Sequence, residues 1–431
     1  MRRLDATMAS TIPRPPDFHS RQAILDHVRH TLDFYHPRAI DPSGGFYHFF
    51  KNDGAVFDAH TRHLVSSTRF VFVWAMASRH FSDTPAYLDN ARRAVEFLRV
   101  AHRNPATGGY AWQLNWEGGR AEVIDATNHC YGLAFVLLAY AHALLGGIAE
   151  ARAWLDETFD LMERRFWLPG HGLYADEAAP GWQLRPYRGQ NANMHATEAC
   201  LAAYEASGER RYLDRAELVA TNITQRQAAL TDGLMIWEHY RSDWSVDWDY
   251  NRNDRSNIFR PWGYQPGHFT EWARLLILLE RQRPLPWLLP KAEALFDRAF
   301  RHAWDDEHGG LYYGFAPDFS ICDDRKYHWV QCESLATAAV LGRRTGQAQY
   351  WDWYDRLWTY CWRHWIDHEH GAWFRLLSRD NVNTTDEKSP AGKVDYHTTG
   401  ACYEILKALE RCEPVKKPSR AAGAPDDRAA G

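Results

Sequence analysis

The stretch DDEHGGLYYGF (Asp305–Phe315) sets paired glycines between acidic residues and aromatics, the pattern of a β-hairpin tip. Five other stretches repeat it: DPSGGFYHF from Asp41, NPATGGYAW from Asn104, LPGHGLYAD from Leu168, TDGLMIWEH from Thr231 and DHEHGAWFR from Asp367. Between Gly45, Gly109, Gly172, Gly233, Gly310 and Gly371 the successive spacings are 64, 63, 61, 77 and 61 residues. The chain is therefore an internal repeat of six units.

Between the glycine hairpins the apolar residues fall at i, i+3, i+4 and i+7, and each interval holds two such helical segments. This spacing predicts helices over 20–36, 64–80, 85–103, 129–145, 149–166, 194–207, 211–226, 268–282, 288–303, 330–345, 347–364 and 397–411. Six hairpin-linked helix pairs close into a ring of two layers, so the expected fold is all-α, an (α/α)6 barrel of twelve helices with short β-hairpins at one end. An open superhelix of stacked pairs is the alternative. Segments such as CYGLAFVLLAYAHALL and SLATAAVLG are apolar nearly all round, whereas AWLDETFDLMERRF has a charged face. The helix that follows each hairpin is thus assigned to the inner layer, with its N-terminus at the hairpin end.

The bulk numbers fit one large domain. Of 431 residues 45% are hydrophobic and 24% charged, enough apolar material for a sizeable core. A net charge of −5 with both signs interleaved leaves no basic stripe for nucleic acid or anionic lipid. No 18-residue apolar run and no signal-peptide pattern is present, so a cytoplasmic location without membrane attachment is expected. The seven cysteines show no CxxC spacing and read as reduced core thiols. Residues 1–17 and 413–431 read as mobile tails and 18–412 as a single catalytic barrel; a monomer or homodimer is expected.

At the six inner N-termini stand HTRHLVSSTR, DATNHCYG, NANMHATEA, QPGHFTEWA, KYHWVQCESLA and KVDYHTTGACYE. Each contains a histidine: His63, His129, His195, His268, His328 and His397. A lone histidine is more often a satisfied core residue, but no packing rule demands imidazole at equivalent places of a ring. With Arg62, Asn191, Glu198, Glu271, Gln331, Glu333, Tyr396 and Thr398 beside them they describe a polar-lined mouth. The longest interval adds SDWSVDWDYNRNDRSNIFRPWGYQPGH, a loop expected to border that mouth.

Imidazole titrates near neutrality, so paired histidines can remove and return a proton without a cofactor. A carbon acid beside a sugar carbonyl needs that chemistry, with a cation to stabilise the enediolate. The HxxE spacing of HATE and HFTE would also suit a metal, but neither HExxH nor a two-His-one-carboxylate run occurs. Glycoside hydrolysis, which (α/α)6 barrels also host, would need two carboxylates flanking a cleft rather than histidines. A sugar-binding protein without catalysis would need the aromatics and not the paired imidazoles.

At NANMHATEACLAAYEASGERRYL, WGYQPGHFTEWARLL, WVQCESLATA and KVDYHTTGACYEIL the chain resembles the N-acylglucosamine 2-epimerase superfamily. The likeness runs from about Phe34 to Cys412, and TRHLVSSTRFVFVWAMA is most similar to its mannose-isomerising, aldose–ketose isomerase branch. The resemblance implies an (α/α)6 barrel and acid/base histidines at His268 in QPGH and His397 in DYHTT. It also implies monosaccharide contacts or support from Arg62, Tyr131, Asn191, His195, Arg260, Glu271, Trp329 and Gln331, and neither metal nor cofactor. The expected reaction is D-mannose to D-fructose, or D-lyxose to D-xylulose, through a cis-enediolate. In that reading Arg62 polarises the sugar oxygens and Glu271 orients His268, and 2-epimerisation of mannose or of cellobiose-type disaccharides is the alternative.

Overall fold

The structure is a computed structural model that describes residues 12–254, 257 and 259–410. Among the described residues twelve α-helices follow one another: α1 Arg21–Tyr35, α2 Leu64–His80, α3 Ala86–Phe97, α4 Cys130–Leu145, α5 Ala151–Arg165, α6 Gln190–Ser207, α7 Arg210–Thr221, α8 Pro266–Gln282, α9 Leu288–Ala303, α10 His328–Thr345, α11 Ala348–His364 and α12 Tyr396–Leu409. Even-numbered helices pack in order from α2 to α12, and α12 returns to α2. The ring is closed, which excludes the open superhelix. Each odd-numbered helix lies outside, α1 against α12, α3 against α2, and so on to α11 against α10.

The layers follow from the residues. Helix α4 buries residues on every side, from Cys130 to Ala143, because its neighbours in the ring and its outer helix together leave no face to solvent. Helix α9 buries only one stripe, including Leu288, Ala292, Leu295, Phe296 and Ala299. Each fully buried Leu or Phe of these stripes contributes about 1.5–3 kcal/mol. The six described cysteines form no disulfide, and five of them are buried; Cys412 lies outside the described residues, as do positions 1–11 and 413–431 of the expected tails. Positions 12–17 belong to the described structure, where Trp362 Nε1 donates to the Pro13 carbonyl at 2.6 Å.

Three of the hairpins, those at Asp41, Asp305 and Asp367, share one construction. In the stretch from Asp305, the Asp305 carboxylate accepts from the backbone of Glu307 and His308 while its own N–H donates to Gly310 O. Gly310 has φ +81°, and a Cβ there would overlap the Tyr360 ring, so only glycine fits. Asp367 opens its loop in the same way toward Glu369 and His370.

A cation 21 residues downstream then ties the loop to the entry of the next inner helix. Lys326 Nζ pairs with Asp305 at 2.8 Å, Lys388 with Asp367 at 2.5 Å and Arg62 with Asp41 at 2.5 Å. All three cations are buried.

Candidate active site

At the hairpin end the inner helices surround a narrow cavity of about 110 Å3. Its lining comes from α2 (Arg69), α4 (Tyr131), α6 (Asn191, His195), α8 (His268, Glu271), α10 (His328, Trp329) and α12 (His397). The loop 390–393, two insertion residues, Phe259 and Pro261, and Tyr313, Tyr327 and Arg375 complete it. A larger surface cavity of about 600 Å3, between the insertion and the 316–325 hairpin, shares Pro261, Tyr313 and Tyr327 with it. No histidine among the described residues lines that outer space.

The QPGH turn sets His268. Gln265 is the extended residue before α8 and Pro266 begins the helix, where its missing N–H costs nothing. A Cβ on Gly267 would lie 2.5 Å from the Trp329 ring, so glycine is what lets the indole approach. His268 Nδ1 is 2.9 and 3.0 Å from the two oxygens of Glu238. Gln190 donates to the same carboxylate at 2.8 Å and accepts from Trp272 Nε1 at 2.7 Å, which fixes its amide. The carboxylate thereby assigns the imidazole proton to Nδ1 and leaves the Nε2 lone pair free.

The DYHTT segment sets His397 by different means. Asp395 sits at φ +46°, held by Lys393 at 2.6 Å, Tyr35 at 2.6 Å and Thr398 at 2.9 Å. His397 Nδ1 then lies 2.7 Å from Glu333, which assigns the same tautomer, and Nε2 lies 3.3 Å from Arg69 Nη2. Burial, with Arg69 and His195 adding to it, holds the His397 imidazole well below the usual histidine range. Both catalytic-candidate rings pack against one indole, Trp329, at centroid distances of 5.1 Å for His268 and 5.8 Å for His397.

Beneath them runs a buried polar layer. Arg274 donates to Glu333 at 3.0 Å and to Glu198 at 3.1 Å, and Glu198 also accepts from Tyr396 at 2.9 Å and meets His195 at 3.1 Å. Burial opposes charge on Glu198, but His195 and Arg274 hold its carboxyl below the usual range. Glu271 is the exception. Both its oxygens are buried without a hydrogen-bond partner, and burial, reinforced by Glu333 and Glu198, drives its carboxyl well above the usual range. A neutral carboxylic acid facing the cavity is a proton donor. His195, Glu198 and Glu271 are close enough to share a cation. Arg274, 3.1 Å from Glu198 and 3.9 Å from Glu271, already supplies positive charge there.

Of the ten site residues predicted from sequence, His268, His397, Tyr131, Asn191, His195, Glu271 and Trp329 line the cavity. Three do not. Arg62 is wholly buried and pairs with Asp41, Ala59 O and Thr61 O. Gln331 bonds both ways to the Leu311 backbone, at 3.0 and 2.9 Å. Arg260 pairs with Glu177 at 2.7 Å and lies 3.9 Å over the Tyr187 ring, so it anchors the insertion instead of facing the cavity. Glu238, not Glu271, orients His268. Four histidines of the six reach the cavity; His63 caps α2 by accepting from Val65 N, and His129 packs 4.0 Å from Trp112.

Arg69 and Glu238 were missed. Glu238 lies in the TDGLMIWEH hairpin, whose repeat was legible although its contact with α8 was not. No helix among the described residues is long and apolar enough to cross a membrane.

Known proteins share this fold. Residues 44–401 match the N-acylglucosamine 2-epimerase (GlcNAc 2-epimerase) family. A D-mannose isomerase of Marinomonas mediterranea is 51% identical over 395 residues, 91% of this chain and 99% of that protein. One from Thermobifida fusca is 35% identical over 362 residues, 83% of this chain and 87% of its own. A crystal structure of a D-mannose isomerase superposes with a TM-score of 0.88 at 51% identity, covering 91% of this chain and 99% of that one. A barrel matched over this length, with its histidines at the inner-helix starts, places the chain in the N-acylglucosamine 2-epimerase family.

Proposed function

We propose that the protein is an aldose–ketose isomerase that interconverts D-mannose and D-fructose, and D-lyxose and D-xylulose, by proton transfer between C1 and C2. One observation carries the reading. Two imidazoles, each with its Nδ1 proton held by a carboxylate, flank one narrow cavity against a shared indole.

In this mechanism the sugar opens and its C1 aldehyde enters the cavity. One imidazole takes the C2 proton on Nε2, the electron pair moves toward O1, and a cis-enediolate forms. The same imidazole returns the proton to C1. The second imidazole serves ring opening and passes the O2 proton to O1, with Glu271 as neutral hydrogen-bond donor to the developing charge. Tyr131, Asn191 and His195 contact the sugar in this reading. Asn191 Oδ1 is buried without a protein partner, as an acceptor kept for a ligand hydroxyl would be. Hydrolysis finds no second free carboxylate among the described residues of the cavity, since Glu198, Glu238 and Glu333 are each engaged by histidine or arginine.

Two imidazoles with like tautomers also suit the second reading, 2-epimerisation, in which the proton returns to C2 from the opposite face. Purified protein given D-mannose is expected to release fructose as the first product, followed by chromatography or NMR; glucose appearing ahead of fructose would establish epimerase instead.

The Trp329 wall has its own test. Gly267→Ala forces the indole away from both imidazoles, so kcat/KM for mannose is expected to fall about 10²-fold. The melting temperature should fall as well, since the same Cβ would lie 2.9 Å from Cγ2 of the fully buried Val330. Steady-state kinetics with a thermal melt checks both; unchanged kcat/KM would mean the indole does not position the sugar.

A further inference from the structure

Where the inner helices finish, at the end of the barrel away from the hairpins, a second cavity of about 350 Å3 opens. All six inner helices contribute to its wall, so it lies on the barrel axis. The exposed Glu205, Arg281, Gln282 and Lys407 form its rim. Its floor is the buried polar layer already described, with Glu198, Arg274, Glu333 and Tyr396, and His397 lines both this rear cavity and the candidate active site. One layer of paired charges divides the two.

The rear wall holds polar atoms that the protein does not satisfy. His142 Nδ1 and Tyr403 Oη are buried there without a hydrogen-bond partner. Packing fixes both side chains, His142 edge-on to Phe72 and Tyr403 stacked on His80, each at 4.6 Å between ring centroids. Burial holds the His142 pKa down at about 3 and pushes the Tyr403 phenol well above its usual range, so both are neutral groups suited to a hydroxyl.

The charges of this wall are engaged with one another. Arg281 and Lys407 lie 3.7 and 3.0 Å from Glu404, and Arg274 is held by Glu333 and Glu198. Among the described residues, no cation of this wall is left over for a phosphate or a carboxylate. The rest is apolar, with Phe72, Met76, Leu138, Leu201 and Leu278. An apolar wall with a few fixed neutral hydrogen-bonding groups suits a molecule that has both hydroxyls and C–H faces, and the volume is at the small end of ligand sites.

We propose that the rear cavity is a second binding site, for a neutral polyol of monosaccharide size, and that its occupant slows the site at the hairpin end. Tyr403 Oη and His142 Nδ1 bond two of its hydroxyls beside Phe72, and a third donates to Glu333 at the floor. Glu333 already accepts from Arg274 at 3.0 Å and lies 2.7 Å from His397 Nδ1. A further donor on that carboxylate weakens its support of the imidazolium, so His397 becomes a poorer base. Binding stands independently of the isomerase reading, and the effect on turnover rests on it.

Met76 is a built-in reporter, because it lines the rear cavity and not the candidate active site. The full chain is labelled with 13C-methyl methionine, and the Met76 signal is assigned by its loss in Met76→Leu. The probe is D-mannitol, a polyol with no carbonyl to isomerise. The Met76 methyl is expected to shift and saturate as mannitol is added. Tyr403→Phe removes a hydroxyl that has no partner in the protein, so the fold is kept while the midpoint rises about 3–10-fold. Ala202→Phe fills the cavity from α6 and should abolish the shift. With mannose as substrate, mannitol should lower kcat in the parent, which competition at the sugar site alone cannot do, and the same concentration should lower it less in Tyr403→Phe. A Met76 methyl that stays put, or that moves with one midpoint in the parent and Tyr403→Phe, overturns the proposal. So does a kcat unchanged by mannitol that saturates the Met76 shift. If the parent protein leaves mannose unchanged, the isomerase reading fails while the methyl titration still judges the rear site.

Discussion

His268→Ala and His397→Ala are each expected to lower kcat on D-mannose by about 10²–10⁴-fold, the range for loss of a positioned acid/base group. The expectation follows from geometry rather than from histidine content. The chain has 22 histidines, but among the described residues only these two combine a carboxylate on Nδ1 at 2.7–3.0 Å with a position on the cavity wall beside Trp329. Sugar binding should persist in both variants, because Tyr131, Asn191, His195 and Trp329 are untouched, and calorimetry with mannose can separate binding from turnover.

Glu238→Gln and Glu333→Gln are expected to fall between the parent and the alanine variants. An amide oxygen still accepts from Nδ1–H but supplies no charge to the imidazolium that forms. The Glu238→Gln change also disturbs the fit with Gln190, whose Nε2 donates to a carboxylate oxygen at 2.8 Å. Turnover near the parent rate in both alanine variants would sink the acid/base assignment. So would equal losses in kcat and in binding, since an empty site explains those without any proton transfer.

The barrel was legible because each level of the sequence repeats it. Glycine tips recur at nearly constant spacing, and the alternation of all-apolar with amphipathic segments separates inner from outer helices. Where boundaries moved, a local signal was missing. Helix α6 starts at Gln190, four residues before the expected 194, because its first residues follow Gly189, whose side chain can offer no cap. The expected spans 85–103 and 211–226 end in wider π-type turns, Leu98–His102 and Asn222–Gln227, which hydrophobic periodicity does not distinguish from α-helix.

The site was legible where residues sit on inner-helix starts and illegible where a charge is paired at long range. Arg62 and Arg69 lie on one short stretch, and no periodicity separates a cation facing a cavity from one facing a carboxylate. A signal did exist. Asp41 and Arg62 stand 21 residues apart, as do Asp305 and Lys326 and also Asp367 and Lys388, and a cation that keeps step with a hairpin is part of the repeat. Glu238 carried no such signal, for its contact with His268 spans 30 residues and depends on how hairpin and helix meet.

Arg62→Met is expected to destabilise the fold by about 3–5 kcal/mol, the range for breaking a buried ion pair by removing one partner. Burial lowers the Arg62 pKa and Asp41 acts against this, so each charge offsets the desolvation of the other. Without it, Asp41 keeps a buried charge, and the Ala59 and Thr61 carbonyls lose their donor. The enzyme that remains folded should keep the parent's kcat and KM on mannose, because the side chain has no surface at the cavity. Asp41→Asn in the same chain should restore part of the stability, since the amide carries no charge yet its oxygen still accepts from the Ser43 backbone N–H. Urea melts of the parent, Arg62→Met and the double variant measure the first effect, and steady-state kinetics below the transition the second. A well-folded Arg62→Met with about tenfold or greater loss of kcat would return Arg62 to the sugar.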